Sequence, residues 1–179
     1  MMRYLLATSL LIILFDLHAQ QEDFVNPIIK QFGGIYPLHD ATVKPDPNLR
    51  YQIVIDIVSG QEDPKKINPA LNNVARLMNL HSLGGVPSDS LDIVLAVHGG
   101  ATVTLLNEEA YADIYGCPNP NLKLIDALEA TGVLITVCGQ SLIHEKIVPD
   151  QVYSKVGIAT SMLTTVTMYM QRGYHLLKF

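Results

Sequence analysis

The sequence predicts an α/β fold, a three-layer, flavodoxin-like parallel sheet of about five strands with helices on both faces. Three observations lead there. Short apolar runs rich in β-branched residues, over 51–58, 91–97 and 134–138, alternate with longer stretches of helical periodicity. The second run, Leu91-Asp92-Ile93-Val94-Leu95-Ala96-Val97, is almost wholly apolar, as a strand covered on both faces must be. Glycine and Asn-Pro pairs punctuate the boundaries, as at Asn68-Pro69 and Gly84-Gly85. Strand-helix alternation gives parallel pairing through crossover connections. Strand order is not readable at this level.

Residues 1–19 have the pattern of a secretory leader. Arg3 supplies the positive start, residues 4–15 are an almost unbroken apolar run, and Leu17-His18-Ala19 ends on the small residue a signal peptidase requires. The run is too short to span a bilayer comfortably. Cleavage after Ala19 is expected, giving an exported, periplasmic or secreted protein, although Asp16 and His18 are unusual so close to a cut. An uncleaved amino-terminal anchor is the alternative. The absence of a cysteine near the cut argues against a lipid anchor. Residues 20–50 hold Gly33-Gly34, Pro37, Pro45 and Pro47 and read either as an irregular arm across the domain or as a flexible linker.

The regular domain runs over 51–179. A first strand covers 51–58, interrupted near its end by Asp56, and a loop follows through Pro64. A helix opens at Asn68-Pro69 with Leu71, Val74, Ala75, Met78 and Leu83 on roughly one face, and Gly84-Gly85 stops it. The second strand is followed by a helix over about 103–114, another over 121–131 closed by Gly132, and a third strand over 134–138. A short helix over 140–146, a strand over 156–159, a helix over 161–172 and a last strand over 174–178 complete the chain. The helix over 161–172 is apolar around most of its circumference, which predicts a buried helix, and its methionines would also suit an adaptable contact surface.

Composition narrows the function. The chain has 179 residues, 49% of them apolar, enough for one domain with a proper core. The net charge of −5 and the lack of a lysine or arginine cluster argue against nucleic acid and against an anionic membrane surface. No Gly-x-Gly-x-x-Gly, Walker or Gly-x-Ser-x-Gly pattern occurs, so nucleotide binding and elbow-type hydrolysis have no support, and the first loop lacks a flavin phosphate loop. The cysteine and histidine spacings do not match a metal site, and no cofactor is expected.

The chemistry-bearing candidate is Cys138. It ends a buried strand, a glycine turn follows, and a helix opens directly after it. The carboxyl ends of strands form the ligand-binding rim of a parallel α/β sheet, and free helix amides favour thiolate over thiol. The competing reading is a small apolar residue capping a strand. Loops after strands share one rim, so His98, at the end of the second strand, lies on the same side, as do Gln61 and Asp63. His98 would either bond a loop carbonyl or act as a donor or charge near Cys138. Cys117, just ahead of a helix start, is either an incidental solvent-facing thiol or a redox partner for Cys138. Gly139, Gln140 and Ser141 open the helix after Cys138 and would contact a substrate there or cap the helix. His144 is expected on a different face.

Asn119-Pro120-Asn121-Leu122, a helix, and then Val137-Cys138-Gly139-Gln140-Ser141 resemble the DsrE/DsrF-like (YchN-like) sulfur-relay family, and within it the exported members. The run from Asp92 through His98-Gly99-Gly100-Ala101 is similar to that family's second strand and turn, and Gln171-Arg172-Gly173-Tyr174 resembles its last helix and strand. The resemblance covers roughly 51–179. It implies the same three-layer fold, a homo-oligomer, and a sulfur carrier or persulfide relay in which Cys138 holds the sulfur without a cofactor. Partners would be a sulfur donor or acceptor protein or a small sulfane-sulfur species. The alternative is a non-catalytic module binding a small ligand or a protein, with Cys138 structural.

Overall fold

The computed structural model describes residues 24–179. The leader expected over 1–19 lies outside the described residues. Five strands, β1 (Tyr51–Ile57), β2 (Leu91–Val97), β3 (Leu134–Cys138), β4 (Gly157–Ala159) and β5 (His175–Lys178), form one sheet in the order β4-β3-β2-β1-β5. Every pairing is parallel. Five helices connect or flank them: α1 (Pro69–Leu83), α2 (Glu108–Tyr115), α3 (Leu122–Glu129), α4 (Gly139–Glu145) and α5 (Met162–Gln171). This is the flavodoxin-like α/β architecture.

The strand order fixes where the helices fall. The chain steps from β1 to β4 in one direction, and right-handed crossovers then deposit their helices on one face. Leu71, Val74 and Met78 of α1 and Leu124 and Leu128 of α3 accordingly share one core cluster with Ile53, Ile55, Ile93, Leu95 and Ile135. Met78 is fully buried there, and truncating such a side chain to alanine costs about 2–5 kcal/mol. Only the last connection, β4 to β5, travels back across the sheet, so α5 lands on the opposite face, against β1 and β2.

One helix cannot cover five strands. Val54 and Val94 are buried on that second face, but Leu134 is 44% exposed. The structure therefore corrects the expectation of a buried final helix. Within α5 only Thr165 is buried, and Leu163 is 69% exposed. Its apolar circumference reflects a lone helix on an open face, not enclosure.

Side-chain caps start α1, α2 and α5. Asn68 accepts from the amides of Ala70 and Leu71 at the start of α1, and Pro69 occupies its first turn. The single helix expected over 103–114 is instead divided. A 3-10 segment (Gly99–Leu105) is followed by Leu106, which bridges antiparallel to Val152, and by Asn107, which caps α2 through Ala110 N. The bridge and the extended backbone of Asn107 interrupt the helical run.

Residues ahead of the sheet fold back on α1. Val25 and Ile35 form an antiparallel bridge, and the segment between them is bonded by two asparagines of α1, of which Asn79 is fully buried. Asn79 accepts from the amides of Ile28 and Ile29 and donates to the carbonyls of Phe32 and Gly33, while Asn72 accepts from Gly33 N. Gly33 has φ +62°, and a Cβ there would stand 2.2 Å from the Arg76 nitrogen, so only glycine allows this close approach.

Candidate functional site

Cys138 occupies the point where the sheet reverses its winding. The connection leaving β3 continues in the direction of the earlier ones, whereas the connection leaving neighbouring β4 turns to the other face. Ligand crevices of open α/β sheets form between two such strands, outside their carboxyl ends. Here β3 ends in Cys138, paired with Ala159 of β4. The turns are tightly apposed, because a Cβ on Gly139 would lie 2.8 Å from the Ala159 carbonyl oxygen.

Two helix starts therefore meet the thiol. Cys138 is 5% exposed, and its Sγ lies 3.9 Å from the Oγ of Ser161, the residue that caps α5 through Leu163 N. Burial pushes the thiol pKa up. The amides of Met162 and Ser141 and the hydroxyls of Ser141 and Ser161 outweigh burial, and the net position is below the ordinary 9.0. Donors to the charged form produce such a shift, and a thiolate is the nucleophilic form of cysteine.

His98 stands beside this site. Val97 of β2 pairs with Val137 of β3, and both enter the core on the α1 face. His98 and Cys138 are the next residue on each strand, and the backbone of His98 is extended, φ −156° and ψ −177°. The alternation of side chains puts both on the opposite face, on strands spaced by about 4.8 Å. The imidazole does not bond a loop carbonyl. Its Nε2 is 2.7 Å from Oδ1 of Asp56, and Asp56 Oδ2 is 3.6 Å from Nζ of Lys178. Gly99 N donates to Ser141 Oγ at 3.2 Å, which links the turn after His98 to the hydroxyl at Cys138.

Of the remaining predicted site residues, Gln140 is peripheral: its Nε2 reaches the Thr160 carbonyl at 3.5 Å on the surface. His144 is exposed beside Glu145. Asp63 accepts from Lys65 N, and that hydrogen bond is the main cause holding its carboxyl below the usual 3.8. Gln61 donates to the Tyr111 hydroxyl at 2.6 Å. Sequence reasoning noticed Asp56 only as an interruption of an apolar strand and Ser161 only as the start of a helix. Their roles depend on which strands are neighbours.

The structure corrects the reading of Cys117 as solvent-facing. It is 8% exposed, packed with Leu106, Ala110 and Tyr111, and its thiol points at the Pro64 carbonyl at 3.8 Å. Both cysteines are free thiols, and they share no hydrogen-bond partner. The nearby Asn119 and Asn121 are structural staples. Asn119 donates to the Thr104 and Leu106 carbonyls and accepts from Asn121, whose Oδ1 accepts from Asn68 N. Asn68 in turn closes the amides at the start of α1, the position where such folds often hold phosphate.

Among the described residues, no three His, Cys, Asp or Glu side chains are placed to hold a metal ion, and no helix is long and apolar enough to cross a membrane. An apolar groove of about 370 Å³, lined in part by Tyr36, Leu38, His81 and Leu83, lies at the carboxyl end of α1, away from Cys138.

Two solved structures are similar in fold. MTH1491 from Methanobacterium thermoautotrophicum, a protein of unknown function, matches with a TM-score of 0.55 at 16% identity, over 72% of this chain and 99% of its own. The ychN protein of E. coli matches with a TM-score of 0.50 at 17% identity, over the same 72% and 99%. No curated protein matches the sequence. The model of the DsrE/DsrF-like family matches residues 52–179, which takes in the whole sheet but for its first residue, together with the crevice at Cys138, and on that match the chain belongs to the DsrE/DsrF-like family.

Proposed function

We propose that the protein is a sulfur carrier that takes up a sulfane sulfur on Cys138 and passes it to an acceptor thiol. The observation that carries this reading is the set of donors around the thiol, the Met162 and Ser141 amides and the Ser141 and Ser161 hydroxyls, which together hold its pKa below the ordinary value. Family membership, associated with sulfur relay, supports the same reading. A thiolate here attacks the outer sulfur of a donor persulfide, the donor's sulfur–sulfur bond breaks, and the electron pair leaves with the donor thiolate. The sulfur changes carrier with no net oxidation, and delivery is the same exchange with Cys138 persulfide as donor.

The proposal extends to place and assembly. The leader pattern over 1–19 supports work outside the cytoplasm, where the sulfur donor would also have to reside. The apolar surface of α5 and β5, with Leu163, Met168, Met170 and Leu176 exposed, supports pairing with a second copy of the chain.

The test is to incubate reduced protein with glutathione persulfide, remove the small molecules and weigh the intact chain. The expected result is a gain of one sulfur atom that dithiothreitol removes, lost in Cys138→Ser and retained in Cys117→Ser. No adduct on wild-type protein would overturn the carrier reading and favour a binding module with a structural Cys138.

A further inference from the structure

We propose that His98, held by Asp56, is the acid that protonates the departing thiolate when Cys138 takes sulfur from an alkyl persulfide. The assignment of substrate rests on the carrier reading of Cys138; the assignment of the acid does not. The donors around Cys138 stabilise negative charge and so dispense with a base. They offer no acid, since amides and serine hydroxyls do not release protons near neutral pH. An alkyl thiolate is a basic leaving group, and exchange is slow when it must depart unprotonated. A proton source on the same rim is the missing part.

The Asp56–His98 pair has the geometry for it. Asp56 is only 6% exposed among the buried Ile53, Val54, Ile55 and Ile57 of its strand, a costly place for a carboxylate without partners. Its Oδ1 takes the His98 Nε2 at 2.7 Å, which fixes the ring. The Nδ1 of His98 has no partner among the described residues, and the side chain retains 20% exposure. Lys178 faces the other carboxylate oxygen, and Cys138 is the titratable group on the adjoining strand. The 3-10 segment after His98 carries no ionisable side chain, and α5 carries only Tyr169.

The step balances. The Cys138 thiolate bonds to the outer sulfur of R–S–SH, the donor's sulfur–sulfur bond breaks, and R–S⁻ takes the proton from Nδ1 of the His98 imidazolium. The products are Cys138–S–SH, R–SH and a neutral His98 that keeps its Nε2 proton on Asp56. Sulfur is transferred without an external oxidant or reductant.

Leaving-group dependence tests it. His98→Gln in the full chain is compared with wild type against four reagents, with Cys138 modification read by mass spectrometry. Iodoacetamide expels iodide and the disulfide of thionitrobenzoate expels a weakly basic thiolate, so both should react within about twofold of wild type. Hydroxyethyl disulfide and glutathione persulfide expel alkyl thiolates and should slow by about 100-fold, the usual scale of general acid catalysis. Added imidazole should restore part of the alkyl rates in His98→Ala. Equal slowing with all four reagents would make His98 structural, and unchanged alkyl rates would remove it from the reaction; either overturns the proposal. If wild-type protein accepts no sulfur from the persulfide, the carrier reading falls, and the hydroxyethyl disulfide rates still decide the role of His98.

Discussion

Cys117 and Cys138 are buried to nearly the same degree, at 8% and 5% exposure. What separates them is the kind of group each thiol meets. Cys117 faces a carbonyl oxygen, which can only accept, inside a cluster of Leu106, Ala110 and Tyr111. Cys138 faces amides and hydroxyls that can donate to a thiolate. Burial therefore does not rank the two thiols; donor geometry does, and that geometry comes from the crossing of two connections at β3 and β4.

The largest expected difference between them is in reactivity. In folded, reduced protein at neutral pH, iodoacetamide should label Cys138 at least about tenfold faster than Cys117, because only the thiolate attacks. Peptide mapping over a time course measures it, and equal slow labelling of both would erase the contrast.

The second expectation concerns the scaffold on the Cys117 side. Asn119→Ala should cost about 2–4 kcal/mol, because it strands the Thr104 and Leu106 carbonyls and the Asn121 amide in a buried position. Denaturant unfolding measures it. A loss below about 0.5 kcal/mol would show that water replaces the side chain.

Smaller effects sharpen the comparison at Cys138. Ser161→Ala removes one hydroxyl from the thiol and should slow Cys138 alkylation by about fivefold, equivalent to roughly 1 kcal/mol, with Cys117 unchanged. Cys117→Ala should cost only about 1 kcal/mol of stability, the loss of one small apolar group from its cluster, and leave sulfur loading intact.

Much of the fold was legible because its signals are local. The β-branched runs of β1, β2 and β3, the Asn68-Pro69 start of α1 and the glycine stops each act within a few residues. The division of the 103–114 stretch was not legible, since the Leu106–Val152 bridge joins distant segments. Neither was the exposure of α5. Periodicity reports how apolar a helix is, but the single return crossover decides that α5 alone covers the second face. The site divides the same way. Cys138 and Ser141 are adjacent to a strand end and could be found in the sequence. Ser161 and Met162 reach the thiol only because β4 lies beside β3, and Asp56 reaches His98 only because β1 lies beside β2. Asn119 and Asn121 carried the family resemblance, yet their side chains hold loops together and do not face Cys138.

The central claim is that the folded protein holds Cys138 as a thiolate at a lower pH than an ordinary thiol. The most direct measurement is the pH dependence of iodoacetamide alkylation in Cys117→Ala, folded and in denaturant. The folded midpoint should fall below 9.0 and the unfolded midpoint should return toward it. Linkage requires a matching trend in stability. Because the folded pKa is the lower one, the folded state loses its proton first, and unfolding free energy should rise with pH from the folded midpoint up to the unfolded one. That contribution is present above the unfolded value and lost as pH falls through the folded value, and Cys138→Ser should abolish the rise. A folded midpoint at or above the unfolded one, with stability flat over the same range, would contradict the account.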